Sequence, residues 1–86
     1  MKVIIIYGSA NDKEFMKPAH TYFDEQGVKY EDHVISAHRN LPELIKFLRD
    51  LNESGEKAVI LAVAGLAAAL PGVVAVETEM PCVGVP

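Results

Sequence analysis

Two short polar segments carry the residue types that could do chemistry. Ser36-Ala37-His38-Arg39 combines a hydroxyl, an imidazole and a guanidinium directly after a strand-like run. Gly8-Ser9-Ala10-Asn11-Asp12 follows the first strand-like run of the chain. Because α/β domains bind ligands where loops leave the carboxyl ends of parallel strands, we interpret the two segments as parts of one pocket.

The segment Ser36-Ala37-His38-Arg39 contains a general acid/base candidate. The imidazole of His38 could move a proton at neutral pH without a metal, and Arg39 could grip a phosphate or carboxylate with two parallel hydrogen bonds. An ordinary polar loop, with Ser36 as a cap and Arg39 in solvent, explains the same residues equally well. The spacing alone does not decide between the two interpretations.

The segment Gly8-Ser9-Ala10-Asn11-Asp12 has the composition of an anion-binding turn at the start of a helix. Backbone N–H groups and the positive end of the helix dipole could hold a phosphate beside Gly8, with Ser9 and Asn11 adding side-chain donors. Asp12 would repel a phosphate, so it is better suited to accept hydrogen bonds from sugar hydroxyls. The alternative is a plain turn in which Asp12 caps the helix.

A third loop, with Ala64, Gly65 and Leu66, follows another buried run and offers small residues against which a flat ring could lie. Tight helix packing is the alternative. Among the remaining candidates, His20 and His33 are expected to have surface or packing roles, and Cys82 to be an inert core residue. The histidines and the cysteine match no metal-ligand spacing, so no metal is expected.

The hydrophobic pattern predicts a βαβαβαβ chain. Apolar runs predict strands at Lys2–Tyr7, Val28–Ile35, Lys57–Val63 and Pro81–Pro86. Between them, helices are expected from Asp12 to Gly27, with Pro18 kinking the helix or delaying its start, from Asn40 in a capping box with Glu43, and from Ala67 to Thr78. Right-handed crossovers then give a three-layer αβα fold with a parallel, flavodoxin-like sheet in the order 2-1-3-4.

Composition limits the class of protein. The 86 residues suffice for a single domain, and a hydrophobic fraction of 50% suggests a partner subunit, so we expect a homo-oligomer. A net charge of -4 without a basic run argues against nucleic acid. The single cysteine and the absence of a signal peptide favour the cytoplasm. The uncharged stretch 58–76 is broken by Gly65 and Pro71-Gly72, which favours strand, turn and helix over a membrane span.

Taken together, these segments resemble the 5-(carboxyamino)imidazole ribonucleotide mutase and aminoimidazole ribonucleotide carboxylase family of purine biosynthesis. The resemblance covers the whole chain, which corresponds to roughly the first half of the family domain. It rests on four motifs in the family's order: Gly8-Ser9-x-x-Asp12, Ser36-Ala37-His38-Arg39, Ala64-Gly65 with Leu70-Pro71-Gly72, and Pro81-x-x-Gly84-Val85-Pro86.

The resemblance implies an octamer and a carboxyl transfer from the exocyclic amine to a ring carbon of aminoimidazole ribonucleotide, without cofactor or metal. It implies that His38 is the acid/base and that the substrate contacts Gly8, Ser9, Asn11, Asp12, Ser36, Ala37, Arg39, Ala64, Gly65 and Leu66. Ala69 stands where most members carry a histidine. A weakly active or inactive homologue that binds ribonucleotide or self-associates, and a direct carboxylase using carbon dioxide, are the alternatives.

Overall fold

A four-stranded parallel sheet forms the centre of the structure, a computed structural model that describes residues 2–35, 40–63, 73–74 and 77–85. The sheet has the spatial order β2-β1-β3-β4. The four strands are β1 (Lys2–Tyr7), β2 (Tyr30–Val34), β3 (Ala58–Val63) and β4 (Cys82–Val85). The predicted order, with the first strand between the second and the third, is confirmed.

Helices pack on both faces of this sheet. A 3₁₀ helix (Ala10–Met16) and α1 (Lys17–Gln26) lie on one face, and α2 (Leu41–Glu53) lies on the other. Val74, which is helical, is fully buried with the α2 residues. The described chain therefore has the three layers that the hydrophobic pattern predicts.

Strand β1 is the centre of the core because it is buried on both faces. Ile4 and Ile6 pack towards α2, whereas Ile5 and Tyr7 pack towards α1, and all four are fully buried. Successive side chains of a strand point to opposite faces, so an apolar run without alternation fits a strand covered on both sides. On the α2 side, Leu44, Leu48 and Leu51 complete the packing.

Helix α1 begins later than the first polar residues suggest. Its first residue is Lys17, so Pro18 lies in the first turn, where a missing N–H removes no intrahelical hydrogen bond. Asp12 lies in the preceding 3₁₀ helix, so the alternative in which it caps α1 is not the one that the structure shows. The helix ends at Gly27, whose φ of 69° is the left-handed conformation that glycine adopts without strain.

Helix α2 begins without the predicted capping box. Asn40 is its N-cap residue, but the Asn40 side chain makes no capping hydrogen bond. The first turn is instead closed by the backbone, with Leu44 N–H donating to Asn40 O at 3.0 Å. Pro42 lies within this first turn, as Pro18 does in α1. Proline in the first turn suits a helix start because its φ is already helical.

The two edges of the sheet differ in charge. Strand β2 carries Glu31, Asp32 and His33, and Glu31 forms an ion pair with Lys2 of β1. Strand β4, at the other edge, has the sequence Cys-Val-Gly-Val and carries no charged side chain. Charged side chains are a common means of keeping an edge strand from pairing with other chains. The β2 edge has this protection and the β4 edge does not.

Candidate functional site

The carboxyl ends of β1, β2 and β3 meet at one edge of the sheet. Tyr7, the last residue of β1, is in register with Val63, the last residue of β3. Just beyond these ends, Gly8 N–H donates to Val63 O at 2.9 Å, and Ile35 N–H donates to Tyr7 O at 3.0 Å. The three segments of the predicted pocket each follow one of these strand ends directly in the chain.

The loop Gly8–Asp12 is held by short-range hydrogen bonds. Asp12 N–H donates to Ser9 O at 3.2 Å, and the Ser9 hydroxyl donates to Asp12 Oδ2 at 3.2 Å. Ser9 and Asn11 are exposed, and Gly8 and Asp12 are half-buried. The residues singled out in this loop therefore lie together at the surface, next to the end of β1.

This arrangement suits a phosphate and a sugar. The first N–H groups of a helix have no intrahelical acceptor, and the exposed Ser9 hydroxyl and Asn11 amide can supply further donors. Asp12 Oδ2 accepts from Ser9, while its other oxygen can accept from a sugar hydroxyl. An open cavity of about 510 Å³ adjoins the loop and is lined by Ala10, Asn11, Glu14 and Phe15.

The other predicted site residues lie outside the described residues. These are Ser36, Ala37, His38 and Arg39 in one segment, and Ala64, Gly65 and Leu66 in the other. Their chain neighbours Ile35 and Val63 are described and stand on either side of β1.

A polar network that the sequence does not single out lies next to the loop. The Tyr7 hydroxyl donates to Asp32 Oδ1 at 2.7 Å, and His20 Nε2 lies 2.9 Å from the same oxygen and 3.1 Å from Tyr7 Oη. The side chains of His20 and Asp32 are only 16% and 20% exposed. The Tyr30 ring stacks on His20 at 4.9 Å between centroids. His20 thus packs as predicted, but it packs within a hydrogen-bonded group.

The protonation states in this network follow from its geometry. Burial by itself raises the pKa of Asp32, but the hydrogen bonds from Tyr7 and His20 outweigh it and hold this pKa below its usual value. Burial, and then the hydrogen bond to Asp32, raise the pKa of Tyr7, so the phenol stays a donor. Asp32 is therefore an ionised carboxylate that accepts from both partners.

The pKa of Asp32 makes a prediction about acid stability. The pKa of Asp32 is lower in the folded state than in the unfolded chain, so ionised Asp32 stabilises the fold. This contribution is fully present above the unfolded pKa of about 3.9 and is lost as the pH falls through the folded pKa. Asp32→Asn is expected to lower the free energy of unfolding at pH 7 by about 1–3 kcal/mol. In urea unfolding, the difference in unfolding free energy between wild type and Asp32→Asn should narrow below about pH 4.

The control for this experiment is Asp50→Asn. Asp50 is exposed and pairs with Lys46 on the surface of α2, where ion pairs contribute little to stability. Its loss should change the unfolding free energy by less than about 1 kcal/mol at either pH. A constant gap between wild type and Asp32→Asn from pH 7 to pH 3 would contradict the assigned charge state.

Two further sequence candidates lie away from the loop. His33 contacts Glu31 Oε1 at 3.2 Å and the Phe47 ring on the α2 side of the sheet. Cys82 is only partly buried, packs against the α2 cluster, and burial raises the pKa of its thiol. A thiol that stays protonated is a poor nucleophile, which agrees with a packing role.

Neither a metal-binding cluster nor a membrane-spanning helix is present among the described residues. No group of three or more His, Cys, Asp or Glu side chains in this part of the chain is arranged to hold a metal ion. No helix that the structure describes has the length and apolar character needed to cross a membrane.

The fold and the converging strand ends define the class as a flavodoxin-like α/β domain. Sequence comparison gives the family: the model of the AIR carboxylase family matches residues 2–86, and the chain belongs to this family.

Curated relatives named N5-carboxyaminoimidazole ribonucleotide mutase support this membership. The protein from Vibrio parahaemolyticus is 48% identical over 86 residues, covering 100% of this chain and 53% of the relative. The protein from Saccharolobus solfataricus is 42% identical over 85 residues, covering 99% and 53%. The chain thus spans about half the length of these relatives.

A solved structure agrees with the fold. The crystal structure of Treponema denticola PurE superposes with a TM-score of 0.84 at 22% identity, covering 98% of this chain and 54% of that chain. The architecture of the described residues is therefore that of the amino-terminal half of a known fold.

Proposed function

We propose that the chain converts 5-(carboxyamino)imidazole ribonucleotide into 4-carboxy-5-aminoimidazole ribonucleotide in purine biosynthesis, the mutase reaction for which its curated relatives are named. One observation supports the proposal above all. The ends of β1, β2 and β3 lie side by side, with the exposed donors of the loop Gly8–Asp12 next to them. A ribonucleotide needs such a combination of donors for its phosphate and acceptors for its ribose.

In this proposal the substrate is held by groups from three loops. Ser9, Asn11 and Arg39 bind the phosphate, and Asp12 accepts hydrogen bonds from the ribose. The backbone at Gly8 lets the phosphate approach the helix start closely.

The migrating carboxylate is held by the other two loops. Ser36 and the backbone N–H groups of Ala64 and Gly65 are proposed to bind it, with Ala37 and Leu66 among the other substrate contacts. Small side chains also leave room for the flat imidazole ring.

The reaction needs one proton to be moved. When the carboxyl group leaves the exocyclic nitrogen as carbon dioxide, that nitrogen gains a proton and an aminoimidazole remains. The ring carbon then attacks carbon dioxide, a carbon–carbon bond forms, and the ring carbon loses its proton. His38 is the proposed acid and base for both transfers, because an imidazole exchanges protons readily at neutral pH. No cofactor is needed for this sequence.

The test compares binding and turnover in the chain itself. The protein is titrated calorimetrically with aminoimidazole ribonucleotide, and 4-carboxy-5-aminoimidazole ribonucleotide is assayed after addition of the N5-carboxyamino substrate. Ser9→Ala is expected to weaken ribonucleotide binding about tenfold, because a hydrogen bond to a charged phosphate is lost. Wild type that binds no ribonucleotide would overturn the proposal.

Ser54→Ala is the matched control for Ser9→Ala. The Ser54 hydroxyl donates to Leu51 O at the carboxyl end of α2, so its loss does not touch the loop Gly8–Asp12. Ribonucleotide affinity should stay at the wild-type value. Saturable binding without product would favour a binding homologue, and product formed only from aminoimidazole ribonucleotide with carbon dioxide would favour a direct carboxylase.

Self-association is part of the same proposal. Phe15, Tyr22 and Val83 are large apolar side chains that are 80%, 59% and 51% exposed. A homo-oligomer would bury such side chains, and light scattering measures its mass directly. A monomer at all accessible concentrations would contradict this part.

A further inference from the structure

The network of Tyr7, Asp32 and His20 joins three elements of the fold. Tyr7 is the last residue of β1, Asp32 lies in β2, and His20 lies in α1. All three polar atoms are within 3.1 Å of one another, as the distances 2.7, 2.9 and 3.1 Å show.

The hydrogen atoms in this network can be assigned. An ionised Asp32 carboxylate has no proton to donate, so the hydroxyl proton of Tyr7 is directed at Asp32 Oδ1. The Tyr7 oxygen can then only accept at its 3.1 Å contact with His20, which means that His20 Nε2 carries a proton. His20 therefore donates towards both partners, and each member of the network is satisfied.

The position of the network in the chain gives it a consequence. Tyr7 and His20 flank the segment 8–19, which contains the loop Gly8–Asp12 and the 3₁₀ helix. Their side chains meet, and Asp32 of the sheet edge binds both. The segment is therefore closed at its base by hydrogen bonds. Closing a loop in advance lowers the conformational entropy that ligand binding would otherwise remove.

The main chain supports the same conclusion. Directly after Tyr7, Gly8 N–H donates to Val63 O, and Tyr7 O accepts from Ile35 N–H. These two hydrogen bonds align the starts of two loops with the end of β1. Tyr7 itself accepts the hydrogen bond from Ile35, and its neighbour Gly8 donates the other to Val63. A shift of the Tyr7 side chain would therefore disturb both hydrogen bonds.

We propose that Tyr7, Asp32 and His20 are positioning residues that hold the loop Gly8–Asp12 in its ligand-binding conformation. The proposal deepens the proposed function, on which its ligand-binding part rests. None of the three residues touches the substrate in it. They act through the loop, whose exposed Ser9 and Asn11 carry the donors.

The test measures local opening and binding separately. Amide hydrogen exchange is followed at Gly8 and Ile35, beside the network, and at Leu48 in the middle of α2 as a reporter of global unfolding. Tyr7→Phe and His20→Leu are expected to raise the exchange rates at Gly8 and Ile35 about tenfold relative to the rate at Leu48. The Kd of aminoimidazole ribonucleotide should rise about three- to tenfold in the same variants.

Conservative variants separate positioning from general stability. His20→Gln retains an N–H donor near the position of Nε2 and should recover much of the protection that His20→Leu loses. Tyr30→Phe removes a hydroxyl from a ring that stacks on His20 but leaves the network intact, so it should exchange like wild type. Ile60→Val weakens the core cluster on the α2 side, which contains Ile35 and Leu48, and should not raise the exchange rate at Gly8 relative to that at Leu48.

The outcomes are distinct. Equal increases at Gly8, Ile35 and Leu48 in Tyr7→Phe and His20→Leu would reduce the network to a stabilising role and overturn the proposal. If Tyr7→Phe does not fold, the comparison of His20→Gln with His20→Leu decides in the same way. If wild type does not bind the ribonucleotide, the proposed function fails, while the exchange data still test whether the network holds the loop.

Discussion

Replacing His38 by alanine is expected to reduce the rate of carboxyl transfer by a factor of about 10²–10⁴, the usual contribution of a general acid or base. The affinity for aminoimidazole ribonucleotide should remain close to wild type, because the phosphate and ribose contacts are proposed to come from other residues. A loss of rate with retained binding is the kinetic signature of a group that acts on the reacting atoms.

His33→Ala is the control for this experiment. It removes the same side chain from a position on the α2 side of β2, where the imidazole contacts Glu31 and Phe47. Its turnover should stay within about threefold of wild type, as expected for a surface change of less than about 0.6 kcal/mol. A His38→Ala protein with the full wild-type rate would refute the role given to His38.

The second large effect is expected from Leu48→Ala. Leu48 is fully buried between α2 and the sheet, and truncating a buried leucine costs about 2–5 kcal/mol in transfer and cavity terms. A chain of 86 residues has a total unfolding free energy of roughly 4–13 kcal/mol. The variant should therefore lose a large share of its stability, which urea unfolding measures.

Leu41→Ala makes the same chemical change in the first turn of the same helix. Leu41 is exposed, so the substitution removes little buried area and should cost less than about 1 kcal/mol. Similar losses for the two variants would mean that α2 does not pack on the sheet as described. The comparison thus tests the α2 layer without depending on the proposed function.

The strand order could be predicted because it follows from local patterns combined with a general rule. The run Ile4–Ile6 has no alternation, which indicates a strand covered on both faces, whereas the polar residues of β2 indicate an edge. Right-handed crossovers then leave few arrangements of four parallel strands. The family could also be recognised from the sequence, because each of its motifs is a short contiguous segment.

The network beside the loop could not be predicted in this way. Tyr7 belongs to an otherwise aliphatic run, and its partners Asp32 and His20 lie 25 and 13 positions further along the chain. These three residues come into contact only when β1, β2 and α1 pack together in the fold. A weak signal exists, since Asp32 alternates with Glu31 and His33 and so falls on the face that α1 covers.

The first residues of the helices could not be predicted from cap residues either. Asp12 and Asn40 both have the composition of N-cap residues, yet α1 begins at Lys17, and the side chain of Asn40 makes no capping bond. In both helices a proline lies in the first turn, and its fixed φ already favours helical geometry there. Cap signatures report local preference, which a neighbouring proline and the surrounding packing can override.

The uncharged β4 edge has a practical consequence. In its parallel pairing with β3, Ile60 N–H donates to Pro81 O, so the odd-numbered residues of β4 face β3. The N–H and C=O groups of Cys82 and Gly84 point away from β3 and have the orientation needed to pair with a further strand. Val83→Lys would place a charge on this strand, which disfavours pairing with other chains, and would leave the hydrogen bonds between β3 and β4 in place.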